Sequence, residues 1–367
     1  MDKFEWVEKR VSLCLLFVAI VIFIFGLDEQ WVLRYYVEGI YPIVSVCLRW
    51  LSSLFPFAVG DFLYLLLILV SLWYVVLLIR RRKSLTRQQL NRIPFHVLNF
   101  GLSLYIIFKV CWGLNYSRPS VSTQLSISNE RYSVDELVIL TNFFVDRLNE
   151  VQKTAYIKPD YNLDEVRAEA ILAYQNMEKV NEFFRYLTPS FKACASSWAT
   201  TKIGIEGYYN PISAEANLNM MLPTWVLPFV ACHEIAHQLG VAREDEANLV
   251  GYLTAVNSQN LQFQYSAIYN MLRYLLVELR IKSSKDYEII YQRISPEILA
   301  NFKKENEFWQ KYNNQMSGYM SLAFDKFLKL NNQQSGIKSY QNIVIWLWNY
   351  HKKDLPVDGL LSAKTLD

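Results

Sequence analysis

Three apolar runs dominate the first third of the chain. Val11 to Leu27, VSLCLLFVAIVIFIFGL, carries no charge and is just long enough to span a hydrocarbon core as a helix. Lysines and an arginine precede it, as in a signal peptide, but no small-residue cleavage site follows, so the run reads as an uncleaved anchor. Phe62 to Ile79 is a second span, bounded by Asp61 and by Arg80-Arg81-Arg82-Lys83. Phe95 to Leu114 is a third, interrupted by Asn99 and by Lys109, which is expected to snorkel or to face other helices. The stretch 31–60 is rich in Trp, Tyr and Phe and carries Arg34 and Arg49. It reads as an interfacial or re-entrant element, with a fourth crossing as the alternative.

Past Tyr116 the period changes. Residues 116–132, with Pro119 and several serines, read as a tether. SVDELVILTNFFVDRLNEVQ (133–152) opens with a Ser-x-x-Glu capping box and continues with apolar residues at helical spacing. LDEVRAEAILAYQNMEKVNEFFRYL (163–187) predicts a second amphipathic helix. TKIGIEGYYNPISAEANLN (201–219) alternates and carries Gly204, Gly207 and Pro211, predicting one or two short strands with a turn. PTWVLPFVACHEIAHQLG (223–240) predicts a helix closed by Gly240. Another helix follows from about Glu244 to Val256, then three or four more, ending over 339–353. The expected fold is mainly α. Residues 1–115 form a membrane domain with transmembrane helices over about 11–27, 62–79 and 95–114. The tether leads to a helix-rich α+β domain with a small sheet over 133–367.

Composition sharpens this picture. The chain has 367 residues, 52% of them hydrophobic, and its length suggests about two domains. A net charge of +3, with no basic stripe, argues against nucleic acid as a partner and leaves the lipid bilayer as the expected one. Lys3, Lys9 and Arg10 precede the first span, and Arg80, Arg81, Arg82, Lys83, Arg87 and Arg92 lie between the second and third. Positive charge marks cytoplasmic loops, so the N-terminus is expected in the cytoplasm and everything after about Asn115 outside it. The five cysteines show no CxxC spacing. Cys14 and Cys111 fit lipid-buried thiols, and Cys194 and Cys232 fit a pair if their compartment is oxidising.

The chemistry concentrates in HEIAHQLGVAREDEAN, His233 to Asn248. Residues i and i+4 of a helix share a face, so His233 and His237 can hold one ion. Glu234 sits about 100° round the helix, near enough to reach a water on that ion without ligating. The bland reading is an amphipathic helix that spells HExxH by chance. Against it, a buried His-Glu-His trio without a metal is costly. In HExxHxxGxxH a third histidine completes the site. Here Gly240 matches, but the third-histidine position is Arg243, which cannot ligate.

The arrangement resembles the gluzincin pattern, in which a second helix carries E-x-x-x-[DN]. The resemblance implies Glu244 as third zinc ligand and Asn248 as the group that orients the first histidine. Asp245 and Glu246 remain alternatives, and as spare acids they fit a solvated first turn. Only QLGVAR separates His237 from Glu244, shorter than in many gluzincins. Three spans, WGLNYSRPS (112–120), HEIAHQLG and EDEAN together resemble a bacterial family known only as a domain of unknown function, of membrane-anchored zinc metallopeptidases. That resemblance implies a zincin-like domain with Zn2+ as cofactor and names no substrate.

The expected function is a zinc-dependent peptidase anchored in the bacterial inner membrane, cleaving a peptide or protein substrate outside the cytoplasm with Glu234 as general base. The alternative is a non-catalytic, zinc-stabilised envelope sensor or scaffold. EGYYNPISAEANLN (206–219) is the candidate substrate edge. Tyr208, Tyr209 or Tyr252 are candidates to steady an oxyanion, although in a chain with 24 tyrosines packing is the ordinary role. His96 reads as an interfacial histidine, His351 as a helix-end residue, and Met220-Met221 as core.

Overall fold

The computed structural model describes residues 3–312, 315–331, 333 and 342–355. The chain is mainly α with one small sheet. It divides into two units: Met1–Pro119 with Asn210–Glu215, and Ser120–Tyr209 with Ala216–Asp367.

In the first unit two helices are long and apolar enough to cross a membrane, Val59–Arg81 and Arg87–Cys111. The latter begins eight residues before the expected run, because Thr86 and Gln89 form a capping box there. The first helix, Lys3–Phe25, qualifies only as half of a bent pair, meeting the helical stretch Glu29–Ser53 at 98°. The new helix starts where Asp28 accepts the Gln30 and Trp31 amides. The 29–53 stretch is helical throughout, with a wider-wound segment at Val32–Ile40.

The helices Lys3–Phe25 and Arg87–Cys111 run parallel. Glu8 meets His96 at 3.1 Å, and Ser12 Oγ donates to Asn99 Oδ1 at 2.7 Å, in the same order along both. Farther on, Gly26 packs against Leu114. His96 is more than interfacial: its Nδ1 lies 2.9 Å from the Tyr74 hydroxyl, so it ties three helices together. Such polar contacts matter in lipid, where burial of apolar surface gives helices no reason to associate.

In the second unit the core lies between the helices Val134–Thr154 and Leu261–Lys282, with Leu137, Leu140 and Phe144 of one and Phe263, Ile268 and Leu272 of the other fully buried. Ser133 and Glu136 cap each other's backbone at the start of the former. The helix expected over 163–187 ends at Glu178. Asn181 accepts the Phe183 amide and starts a new turn, so its side chain competes with helix continuation. Phe184, which closes the short 3-10 turn Glu182–Phe184, and Tyr186, in the loop after it, then enter the core, which is why their spacing imitated a helix. That loop leads to β1 (Phe191–Ala193), which the alternation did not reveal. β2 (Gly207–Asn210) and β3 (Glu215–Leu218) complete a sheet of order β1-β3-β2, with β1 parallel to β3. The 116–132 stretch contains a short helix, Val121–Gln124, with Val121 and Ser122 buried.

Of the helix expected over 339–353, Ile343–His351 is helical and residues 339–341 lie outside the described residues. His351 is buried against Phe143 and Phe144, with its Nε2 2.8 Å from the Tyr252 hydroxyl. Burial, helped by the Arg147 charge, pushes its pKa down to about 4. Between pH 6.5 and 4 the unfolded chain takes up a proton here that the folded chain refuses. The stability this neutral ring contributes is therefore present above pH 6.5 and lost as pH falls through 4. The thermal unfolding midpoint of detergent-solubilised protein should fall across that window, and His351→Gln should flatten the fall. An equally steep fall in the variant would assign the effect to other groups.

Candidate metal centre

Leu227–Gln238 and Glu244–Val256 are buried along their whole length. Gly251 lets them approach, since a Cβ there would lie 3.0 Å from the His233 amide nitrogen. His233 and His237 present their Nε2 atoms 3.2 Å apart on one helix face. Glu244, the first residue of the second helix, brings Oε2 to 3.3 Å from His233 Nε2 and 3.7 Å from His237 Nε2. Ligands at about 2.1 Å from a tetrahedral zinc ion lie about 3.4 Å from one another. The triangle therefore has the edge lengths of such a site, and the three residues form a buried group that could hold a metal ion.

Backbone geometry sets the tautomer of one ring. His237 Nδ1 lies 2.6 Å from the Val241 carbonyl, which can only accept. The ring donates there and, when neutral, offers its lone pair at Nε2. The chain reaches Val241 through Gly240 at φ +84°, a left-handed conformation that glycine adopts without penalty. His233 Nδ1 makes no well-formed hydrogen bond, although Asn248 lies near enough to favour its charged form. Asn248 also reaches the Tyr274 hydroxyl at 3.5 Å.

Without a metal the trio shares its charge. Burial raises the Glu244 carboxyl, but the two imidazoles outweigh it and hold the group far below the usual range. Burial lowers His237, and Glu244 reverses this, taking it to about 9. His233 is lowered, chiefly by burial. A proton on His237 must therefore leave when a metal arrives.

Glu234 is 3% exposed, and its Oε2 makes no hydrogen bond. Burial lifts its pKa, His237 opposes, and the charges of Glu244 and Glu206 add, leaving it at about 8. Gly207 of β2 abuts it: a Cβ there would lie 2.6 Å from Glu234 Oε1.

The three acids of the first turn are not solvated. Glu244, Asp245 and Glu246 are 7%, 6% and 1% exposed. Glu244 faces the histidines. Asp245 accepts from Asn342 Nδ2 at 3.2 Å, and burial, followed by the Glu246 charge, pushes its pKa up to about 6. Glu246 accepts the Val121 amide at 3.1 Å and pairs with Arg243 at 3.3 Å. The Tyr252 hydroxyl is engaged with His351 in the core. The Tyr209 ring stands 6.5 Å from the His237 ring, and Tyr208 precedes it on the same strand.

Sequence reasoning read Gly207 only as part of a strand and turn, and missed Gly251 and Tyr274. The glycines carried a signal, because a glycine inside a strand or helix pattern marks a close backbone approach. Tyr274 carried none among so many tyrosines. Gly251→Val should wedge the two helices apart, lower stability by about 1–3 kcal/mol and reduce metal retention through dialysis. Wild-type retention in this variant would show that the helix spacing does not set the donor triangle.

No curated protein and no solved structure matches the chain. The family model described as "Protein of unknown function (DUF3810)" matches residues 36–348, a span that takes in both membrane-length helices, the sheet and the His-His-Glu group. The chain therefore belongs to the DUF3810 family.

Proposed function

We propose that the chain is a membrane-anchored, zinc-dependent hydrolase of peptide bonds that works outside the cytoplasm, with Glu234 as general base. One observation carries this reading: a closed triangle of two imidazoles and a carboxylate, with a buried carboxylate that does not ligate on the next residue of the helix. Three protein donors suit zinc with a position left for water, and none of the described residues adds a fourth donor to the group. A zinc ion held there would bring the pKa of a bound water down to about 7 and polarise a scissile carbonyl. Glu234 Oε2, the unpartnered oxygen, would accept the water's proton and later deliver it to the departing amine. β2 is an edge strand whose Gly207 touches Glu234, so its backbone is the natural partner for an extended peptide. Tyr209, beside His237, is the favoured group to steady an oxyanion, with Tyr208 and Tyr274 as further candidates.

The helix pairing supports the proposed membrane orientation. Parallel helices at Lys3–Phe25 and Arg87–Cys111 need one net return crossing between them, and Val59–Arg81 supplies it. A further crossing by 29–53 would have made them antiparallel. With the positive clusters inside, the chain after Cys111 emerges outside the cytoplasm.

The burial of the histidines also suits the second reading, a zinc-stabilised sensor or scaffold. Metal analysis with variants separates the two. Purified full-length protein should hold about one equivalent of zinc, lost in Glu244→Ala and kept in Glu246→Ala. Glu234→Gln should keep the metal and abolish cleavage of a quenched-fluorescent peptide library. A folded wild type without zinc would end the hydrolase reading, and zinc without any Glu234-dependent cleavage would favour the scaffold.

A further inference from the structure

The hairpin that flanks Glu234 ends in an unusual cap. Its tip, Asn210–Glu215, clusters with the membrane unit, while the rest of β2 and β3 belongs to the other. Glu215 is fully buried. Its Oε1 accepts the Val59 amide at 2.9 Å, and its Oε2 accepts the Gly60 amide at 2.7 Å and the Ser213 hydroxyl at 2.6 Å. Val59 and Gly60 open the membrane-length helix Val59–Arg81, whose own N-cap residue, Ala58, has no side-chain acceptor to offer. A distant carboxylate does what Ser or Asp ordinarily does, with the helix dipole in its favour. Gly60 admits the tip: a Cβ there would collide with Asn210 and lie 2.5 Å from Ser213 Oγ.

The tip is built to be stiff. Asn210 Oδ1 accepts the Ile212 amide, and the Asn210 carbonyl accepts the Ala214 amide. Ala214 sits at φ +56°, a left-handed conformation that is unfavourable for a non-glycine residue and persists only where its surroundings impose it. From this tip β2 runs back to Gly207, which lies against Glu234.

We propose that Glu215 is a positioning residue of the candidate site: by capping Val59–Arg81 it ties the strand beside Glu234 to that helix, so that movement of the helix in the bilayer alters the strand's hold on the base. The proposal rests on the hydrolase reading for the role of Glu234. The helix has 23 residues and is about 34 Å long. It exceeds a hydrocarbon core of roughly 30 Å and adjusts by tilting, more in a thin bilayer than in a thick one.

Hydrogen–deuterium exchange on the full chain tests this in nanodiscs of a short-chain and of a long-chain phosphatidylcholine. In wild type, the amides of Gly207–Asn210 should exchange at rates that differ several-fold between the two lipids. Glu215→Gln and Gly60→Ala should exchange faster there and equally in both lipids, with zinc content unchanged. A passive structural role for Glu215 would change the rate without creating or removing any dependence on lipid. One rate in both lipids for wild type, or a lipid dependence that survives both substitutions, overturns the coupling. Absence of zinc from wild type would sink the hydrolase reading alone, and the exchange comparison would still decide whether the strand follows the helix.

Discussion

A carboxylate taken out of water needs a cation or a full set of donors, and the first turn of Glu244–Val256 takes out three in succession. Each solves the problem differently. Glu244 turns to the two imidazoles, Asp245 to Asn342 ahead of the C-terminal helix, and Glu246 to the Val121 amide and Arg243. The requirement to satisfy three buried charges thereby fixes what surrounds the candidate site. It draws the motif helix, the segment that follows Pro119 and the C-terminal helix onto one helix end. Adding a metal would relieve the most demanding of the three, since Glu244 depends on a positive charge that His237 supplies by keeping a proton well above its ordinary range.

What the sequence made legible was local. His233 and His237 are paired by helix geometry alone, and Ser133 and Glu136 by the rules of capping. Glu244 was different. Three neighbouring acids all looked eligible, and only a family resemblance ranked them. Arg243 is a local partner of Glu246, but Asn342, which meets Asp245, and Val121, which meets Glu246, lie about a hundred residues away along the chain, where no local pattern can point to them. The helix expected over 163–187 failed for a related reason. Phe183, Phe184 and Tyr186 are apolar at helical spacing because they serve the core, and periodicity cannot distinguish a helix face from a loop that folds inward.

The membrane helices show the same limit from the other side. Charge marked their ends, but polar side chains set their pairing. Asn99 weakened the third apolar run as a sequence, yet it is the residue that Ser12 engages, and His96 at the edge of that run joins Glu8 and Tyr74. Lys109, the other interruption, turns its ammonium to the Gly113 carbonyl at 3.4 Å. In lipid an interrupting polar group is costly unless a partner meets it, so a weak span by hydropathy is often a span with neighbours. These contacts set the two helices in parallel order.

On the proposed hydrolase reading, the burial of the site bears on how Glu234 would serve as a base. A general base works best with a pKa near the working pH, and burial alone would leave Glu234 too reluctant to ionise. His237 opposes that effect only while it carries a proton, and a divalent cation between the imidazoles would oppose it more strongly. Metal occupancy and the readiness of the base are thus one coupled property of the Glu234–Glu244 neighbourhood. Access is the remaining constraint, because Glu234 and both histidines are closed in by their own helices. Of the elements that touch Glu234, β2 stands at the edge of the sheet and has no side chain at the point of contact. A peptide that pairs with this edge would need only a small displacement of the strand to bring its carbonyl beside Glu234, whereas entry from the helix side would require separating two packed helices at Gly251.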